Sequence, residues 1–171
     1  MRVGILTVSD RSFRGERPDA SGPQLAERVR ALGWQDVHRE IVPDEQARVE
    51  QVLTAWADSG EVDLVLTTGG TGFADRDRTP EATLRVVDRL APGLAEAMRA
   101  DSLSQTPHAM LSRAVAGIRQ SCLIVNLPGS PKAALENLAA IEPALPHAIA
   151  LLRDPQAAES GHARTPRSRR A

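Results

Sequence analysis

The chain is poor in aromatic residues: Phe13, Phe73, Trp34 and Trp56 are the whole set, and tyrosine is absent. A core must therefore be built from Leu, Val, Ile and Ala, and the scarcity argues against a stacking platform for single-stranded nucleic acid. Cysteine occurs once, as Cys122, so neither an intramolecular disulfide nor a cysteine metal spacing exists. Cys122 lies in the apolar run 122–125, where a buried core thiol is expected rather than a nucleophile. A single reduced thiol fits the cytoplasm. No apolar run approaches the ~18 residues of a membrane span, and Met1–Ile5 enters a strand without the longer apolar segment of a secretory signal. The net charge of −1 exerts no general pull toward nucleic acid or an anionic membrane. His38, His108, His147 and His162 show no ligand spacing, so they read as surface or half-buried side chains. Lysine is almost missing: of 21 basic residues all but Lys132 are arginine. Keeping one lysine suits a role that needs a compact charge on a flexible stem.

What is present describes one domain. A length of 171 residues, 42% apolar and 25% charged, can bury a single sizeable core. Val3–Val8 reads as a buried strand, and residues 10–20 as a long polar loop. Ser21-Gly22-Pro23 opens a helix with Ser21 as cap, its apolar stripe being Leu25, Val29 and Leu32. Val37–Val42 is a more polar strand near an edge. A helix follows from 43–46, with Val49, Val52, Leu53 and Trp56 inward. Val62–Thr68 is the third strand. Thr79-Pro80-Glu81 starts a helix with Thr79 as cap, carrying Leu84, Val87 and Leu90. Pro92-Gly93 breaks it, and a further helix carries Leu94, Met98 and Leu103. Residues 107–113 are irregular. Val115–Arg119 and Cys122–Leu127 form two strands joined by a short turn. A last helix spans 131–152, interrupted by Pro143 and Pro146. The domain is expected over 1–153, and 154–171 is read as a disordered basic tail.

This alternation of strand and helix is that of an open, mostly parallel sheet covered on both faces. Ligands bind such sheets at the carboxyl ends of the strands. Three polar clusters fall at such ends: Ser9-Asp10, Thr68 to Asp77, and Pro128 to Lys132. They should converge on one face. The central one, Thr67-Thr68-Gly69-Gly70-Thr71-Gly72, has more glycine than a turn needs, and a close backbone approach by a phosphate would explain it. The plainer alternative is a tight strand-to-helix turn among solvated charges. A Walker loop is absent because no Gly-Lys-Ser/Thr follows, and the dinucleotide fingerprint fails at Asp75. A phosphoacceptor aspartate would need to stand where Thr67-Thr68-Gly69 stands, and the serine hydrolase elbow is missing. Asp44 and Asp77 remain, each beside a helix start. Two hard oxygens near a phosphate cradle would suit Mg²⁺. For Asp44 a helix cap is an equally good reading; for Asp77 it is weaker, because Thr79 takes that role.

These motifs together resemble the MogA/MoaB family, the molybdopterin adenylyltransferases. The match runs over residues 3–153 through Thr7–Asp10, Asp19–Pro23, Val42–Glu45, Thr67–Gly72, Arg76–Thr83, Ala109–Arg113, Ala116–Arg119 and Asn126–Ala133. The resemblance implies a three-layer α/β/α fold whose mostly parallel sheet carries one antiparallel hairpin strand, and a homotrimer. It implies ATP and molybdopterin as substrates with Mg²⁺, AMP transfer to the pterin phosphate, and hand-over of the product to a molybdenum-insertion protein. Carried over, Asp44 and Asp77 are the essential acids and Mg²⁺ ligands. Thr68, Gly69, Gly70, Thr71 and Gly72 bind phosphate. Ser9, Asp10, Ser112, Arg113, Pro128, Gly129 and Ser130 line the pocket, and Lys132 neutralises phosphate charge. Arg78 stands where relatives commonly carry Val, and activity is expected to survive this. The alternatives are a non-catalytic molybdopterin-binding protein, the related domain of longer insertion proteins, and an adaptor acting through the tail.

Overall fold

In a computed structural model residues 1–154 are described; the tail from 155 onward lies outside the described residues. Six strands are formed: β1 (Arg2–Val8), β2 (Gln35–Val42), β3 (Leu64–Thr68), β4 (Arg89–Leu90), β5 (Ala116–Arg119) and β6 (Cys122–Leu127). They make one sheet in the order β2-β1-β3-β6-β5-β4. β2, β1, β3 and β6 run parallel, whereas β5 pairs antiparallel with β6 and β4 antiparallel with β5. The expected fold class is present, with β2 at the edge. The antiparallel end holds the hairpin strand and the extra two-residue strand β4.

Side chains alternate across the sheet with period two. Val3, Ile5, Leu64, Leu66, Leu123, Val125 and Leu127 face one core. Leu6, Val8, Val65 and Ile124 face the other. The first core is covered by α2 (Ser21–Ala31), α5 (Pro92–Leu103), α6 (Pro131–Ile141) and α7 (Leu145–Arg153). The second is covered by α3 (Gln46–Asp58) and α4 (Thr79–Val86). Strands buried on both faces explain why their sequences read as nearly continuous apolar runs.

Several local expectations are corrected. The polar stretch after β1 contains the short helix α1 (Asp10–Phe13), capped by the Ser9 hydroxyl, which accepts from the Ser12 N–H. Ser21 does not cap α2. The Asp19 carboxylate does, accepting from the N–H groups of Ser21 and Gly22 at 3.1 and 3.0 Å, because an ionised acceptor makes the stronger bond. Thr79 does not cap α4; Arg78 stands at that position without a side-chain bond. Helix α4 ends at Val86, and Leu90 lies on β4, where pairing with β5 replaces helical bonding. Leu84 and Leu90 are 48% and 58% exposed, and the buried stripe is Ala82, Thr83 and Val86. Leu103 is exposed as well. Residues 107–111 form a 3₁₀ turn capped by Thr106. The last helical region is two helices, since Pro143 has no N–H to continue the first.

Candidate functional site

The turn after β3 is held from inside. Gly69 and Gly70 have φ of +101° and +64°, conformations that favour glycine. A Cβ on Gly69 would collide with the Val8 carbonyl oxygen, and one on Gly70 with the Thr79 hydroxyl. The Thr79 hydroxyl donates to the Gly69 carbonyl at 2.9 Å, and the Thr79 N–H to the Gly70 carbonyl at 3.1 Å. Thr68 Oγ1 donates to the Pro128 carbonyl at 2.7 Å, fastening this turn to the one after β6. The N–H groups of Gly70, Thr71 and Gly72 donate to no acceptor among the described residues. Inward carbonyls and unused N–H groups are what an anion cradle requires.

The acids surround this turn. Asp44 caps no helix: α3 begins at Gln46 with Glu45 before it. Instead Asp44 and Asp10 clasp each other. Asp44 Oδ2 accepts from the Asp10 N–H at 2.6 Å, and Asp10 Oδ1 accepts from the Asp44 N–H at 3.0 Å. Arg76 donates to both oxygens of Asp10, at 2.6 and 2.9 Å, and these bonds hold the Asp10 carboxyl below its usual range. Asp44 goes the other way. Burial pushes its carboxyl up, the Asp10 N–H offsets part of this, and the negative charges of Asp10 and Asp77 add to it. Asp44 Oδ1 points toward the glycine turn, 3.5 Å from where a Cβ of Gly70 would stand. Asp77 sits against Gly72, whose absent Cβ would be 2.9 Å from Asp77 Oδ2; that oxygen accepts from the Ala74 N–H at 2.9 Å.

Two cavities meet at the turn. The larger, about 930 Å³, is walled by Ser9, Asp10, Asp44, Thr68, Gly69, Gly70, Gly129 and Ser130, with Arg11, Arg14 and Arg17 from the polar stretch after β1. The smaller, about 500 Å³, is walled by Thr71, Gly72, Ser112, Pro128, Ser130 and Lys132, with Arg99, Ser102, His108, Glu136 and Asn137. The three sequence-distant clusters thus converge on one face, split in two by the glycine turn and Ser130. Asp77 and Arg113 are in neither wall. Arg113 braces the turn: it donates to the carbonyls of Gly72 and Asp77 and to Glu81. Burial pushes the Glu81 carboxyl up, but Arg113 holds it below its usual range. Lys132 is largely exposed and reaches Glu136 at 3.7 Å.

Sequence reading passed over Arg76 as a member of the site and missed Arg99, whose Nη1 donates to the Ala114 carbonyl at 2.9 Å. It also missed the buried Asn126, which bonds the hydroxyls of Thr67 and Thr83. Arg76 adjoins Asp77, a usable signal; nothing in the spacing marks the other two. Among the described residues no group of three or more Asp, Glu, His or Cys side chains forms a ready metal site.

A family model described as "Probable molybdopterin binding domain" matches residues 4–147. The chain belongs to this family. Within the molybdopterin-binding family it is 45% identical over 154 residues to the molybdopterin adenylyltransferase of Helicobacter pylori strain J99, covering 89% of this chain and 88% of that protein. It is 44% identical over 146 residues to the Escherichia coli K12 molybdopterin adenylyltransferase, covering 84% and 75%. The crystal structure of the molybdopterin biosynthesis enzyme MoaB from Thermus thermophilus superposes with a TM-score of 0.84 at 54% identity, covering 88% and 95%. No helix among the described residues is long and apolar enough to cross a membrane.

Proposed function

We propose that the chain transfers AMP from ATP to the terminal phosphate of molybdopterin in molybdenum cofactor biosynthesis. A phosphate oxygen of the pterin attacks the α-phosphorus of ATP. The bond from that phosphorus to the oxygen bridging it to the β-phosphorus breaks, and pyrophosphate leaves. The observation that carries this reading is the pair of cavities sharing one phosphate-sized turn, because two substrates whose phosphates must meet need such a junction. The chemistry is positioning and charge neutralisation. The N–H groups of Gly70, Thr71 and Gly72 receive phosphate oxygens, Lys132 adds positive charge, and Asp10, Ser9 and Ser112 shape the walls.

Asp44 and Asp77 are the residues to hold Mg²⁺. The donor set fits: Asp44 is half-buried, pushed toward protonation by burial and then by neighbouring carboxylates, and a cation would relieve that charge. Two carboxylates without a third ligand suit Mg²⁺, which completes its shell with phosphate oxygens and water. An ion held by these two carboxylates would supply positive charge to the phosphates. The same reading carries a cytoplasmic homotrimer that hands its product to a molybdenum-insertion protein. The deciding assay incubates purified protein with molybdopterin, ATP and Mg²⁺ and measures adenylylated molybdopterin and pyrophosphate. Stoichiometric pterin binding without either product would instead favour a non-catalytic binding protein. Sedimentation checks the trimer.

A further inference from the structure

The glycine turn is not held by its own residues. Behind it runs a chain of hydrogen bonds made by side chains with no exposure to solvent: Asn126, Thr67, Thr79 and Thr83 are each 0% exposed. Asn126 stands on β6 next to Thr67 on β3 in the parallel register. Its Nδ2 donates to Thr67 Oγ1 at 3.0 Å and to Thr83 Oγ1 at 2.9 Å, and its Oδ1 accepts from the Val115 N–H at 3.3 Å. Thr83 Oγ1 donates in turn to the Thr79 carbonyl at 2.9 Å. Thr79 ends the chain with its hydroxyl on Gly69 and its N–H on Gly70. The two donors of the Asn126 amide are both used, so the hydroxyl oxygens of Thr67 and Thr83 accept from it, and the Thr83 O–H donates to the Thr79 carbonyl.

We infer that Asn126, Thr83 and Thr79 are positioning residues for phosphate binding. They fix the carbonyls of Gly69 and Gly70 inward, so that the N–H groups of Gly70 and Thr71 face an incoming anion; the Gly72 N–H is set separately, by the Arg113 N–H on the Thr71 carbonyl at 3.0 Å. The alternative for a glycine-rich turn is to flip its peptides, since glycine has access to both signs of φ. A flipped peptide presents a carbonyl oxygen to phosphate and repels it. The relay removes this freedom by giving each carbonyl a donor that a flipped peptide would leave buried and unpaired. It also ties the turn to the start of α4 and, through Val115, to the β5–β6 hairpin that leads into the Pro128–Ser130 turn. One buried network thereby joins the glycine turn, the start of α4 and the β5–β6 hairpin. The inference rests on the phosphate-transfer reading above.

The test is a series at one position. Thr79→Val keeps the shape and removes the hydroxyl; Thr79→Ser restores it. Binding of ATP with Mg²⁺ is measured by titration, alongside turnover and thermal unfolding. Wild-type protein that neither binds ATP nor adenylylates molybdopterin defeats the functional reading, whatever the variants do. With an active wild type, Thr79→Val is expected to weaken ATP affinity and raise KM about tenfold or more. Thr79→Ser should return both to within about threefold. Leu138→Ala, a core truncation in the opposite layer, serves as the matched destabilised control and should leave KM unchanged. A Thr79→Val protein whose melting point falls while its ATP affinity equals wild type overturns the inference. If Thr79→Val does not fold, Thr83→Ala breaks the relay one step back, and the same comparison of affinity with melting point decides.

Discussion

Two aspartates with low solvent contact sit at opposite ends of the same sheet and are treated oppositely. Asp63 precedes β3 at the amino end and is 3% exposed. It accepts from the Arg2 N–H at 2.6 Å, from the Arg2 guanidinium at 2.9 Å, and from Arg153 at 2.6 Å. Burial alone would raise its carboxyl, but two arginines bring it down to about 2. Asp44 follows β2 at the carboxyl end and is bonded to no arginine among the described residues; Arg76, whose charge it feels, is engaged by Asp10. Its carboxyl is pushed up by burial and by like charges. The amino end is an electrostatically finished joint between the first strand and the last helix. The carboxyl end leaves Asp44 short of positive charge, which a bound cation would supply, and that is where a site is expected.

The largest effect that would test this contrast is catalytic. Asp77→Asn should lower turnover by about 100-fold or more with a melting curve close to wild type; an unchanged rate in the product assay would remove Asp77 from the mechanism. Asp63→Asn should do the reverse. The shift from an ordinary 3.8 to about 2 corresponds to about 2–3 kcal/mol, a fall in melting temperature of about 5–10 °C, with turnover at moderate temperature unaffected. A melt within one degree of wild type would show the joint to be worth little.

The pH dependence follows from the sign. A carboxyl lowered in the folded state contributes stability above its unfolded value, and that stability is lost as pH falls through the folded value. Denaturant unfolding from pH 5 down should therefore show stability falling between about pH 4 and pH 2, a slope that Asp63→Asn flattens. Asp44 carries the opposite sign, because its ionised form is disfavoured in the folded state. Asp44→Asn should hold or raise the melting temperature at neutral pH while abolishing activity; a clear loss of stability would make Asp44 a structural clasp first. The smallest effect belongs to Lys132→Ala. Among the described residues this exposed lysine pairs with Glu136 alone, so stability should stay put while the KM for ATP rises by less than about tenfold.

Long-range order was readable where one periodicity served both faces of the sheet. Continuous apolar strands and short connections led to the layered fold, and the rule for ligand sites then placed Ser9, Asp44, Gly69 to Gly72, Gly129 and Ser130 together. Local reading failed where a residue's partner lay far along the chain. Thr79 looks like a helix cap until the Gly69 carbonyl, ten residues back, takes its hydroxyl. Arg113 looks like a free phosphate ligand until Gly72, Asp77 and Glu81 occupy its donors. Leu84 and Leu90 obey helical spacing yet face outward, because β4 captures the segment.

The sequence by itself determined the layered fold, the glycine turn and the family, because strand alternation, glycine content and ordered motifs are properties of residues near one another. Only the tertiary structure decided which acid is left short of positive charge. Arg76 could have paired with Asp44, Asp77 or Asp10 by its position in the chain, and it is the packing of the turns after β1 and β3 that gives it to Asp10. Charge balance is a property of neighbours in space, so a count of acids and bases along the chain cannot show where it fails.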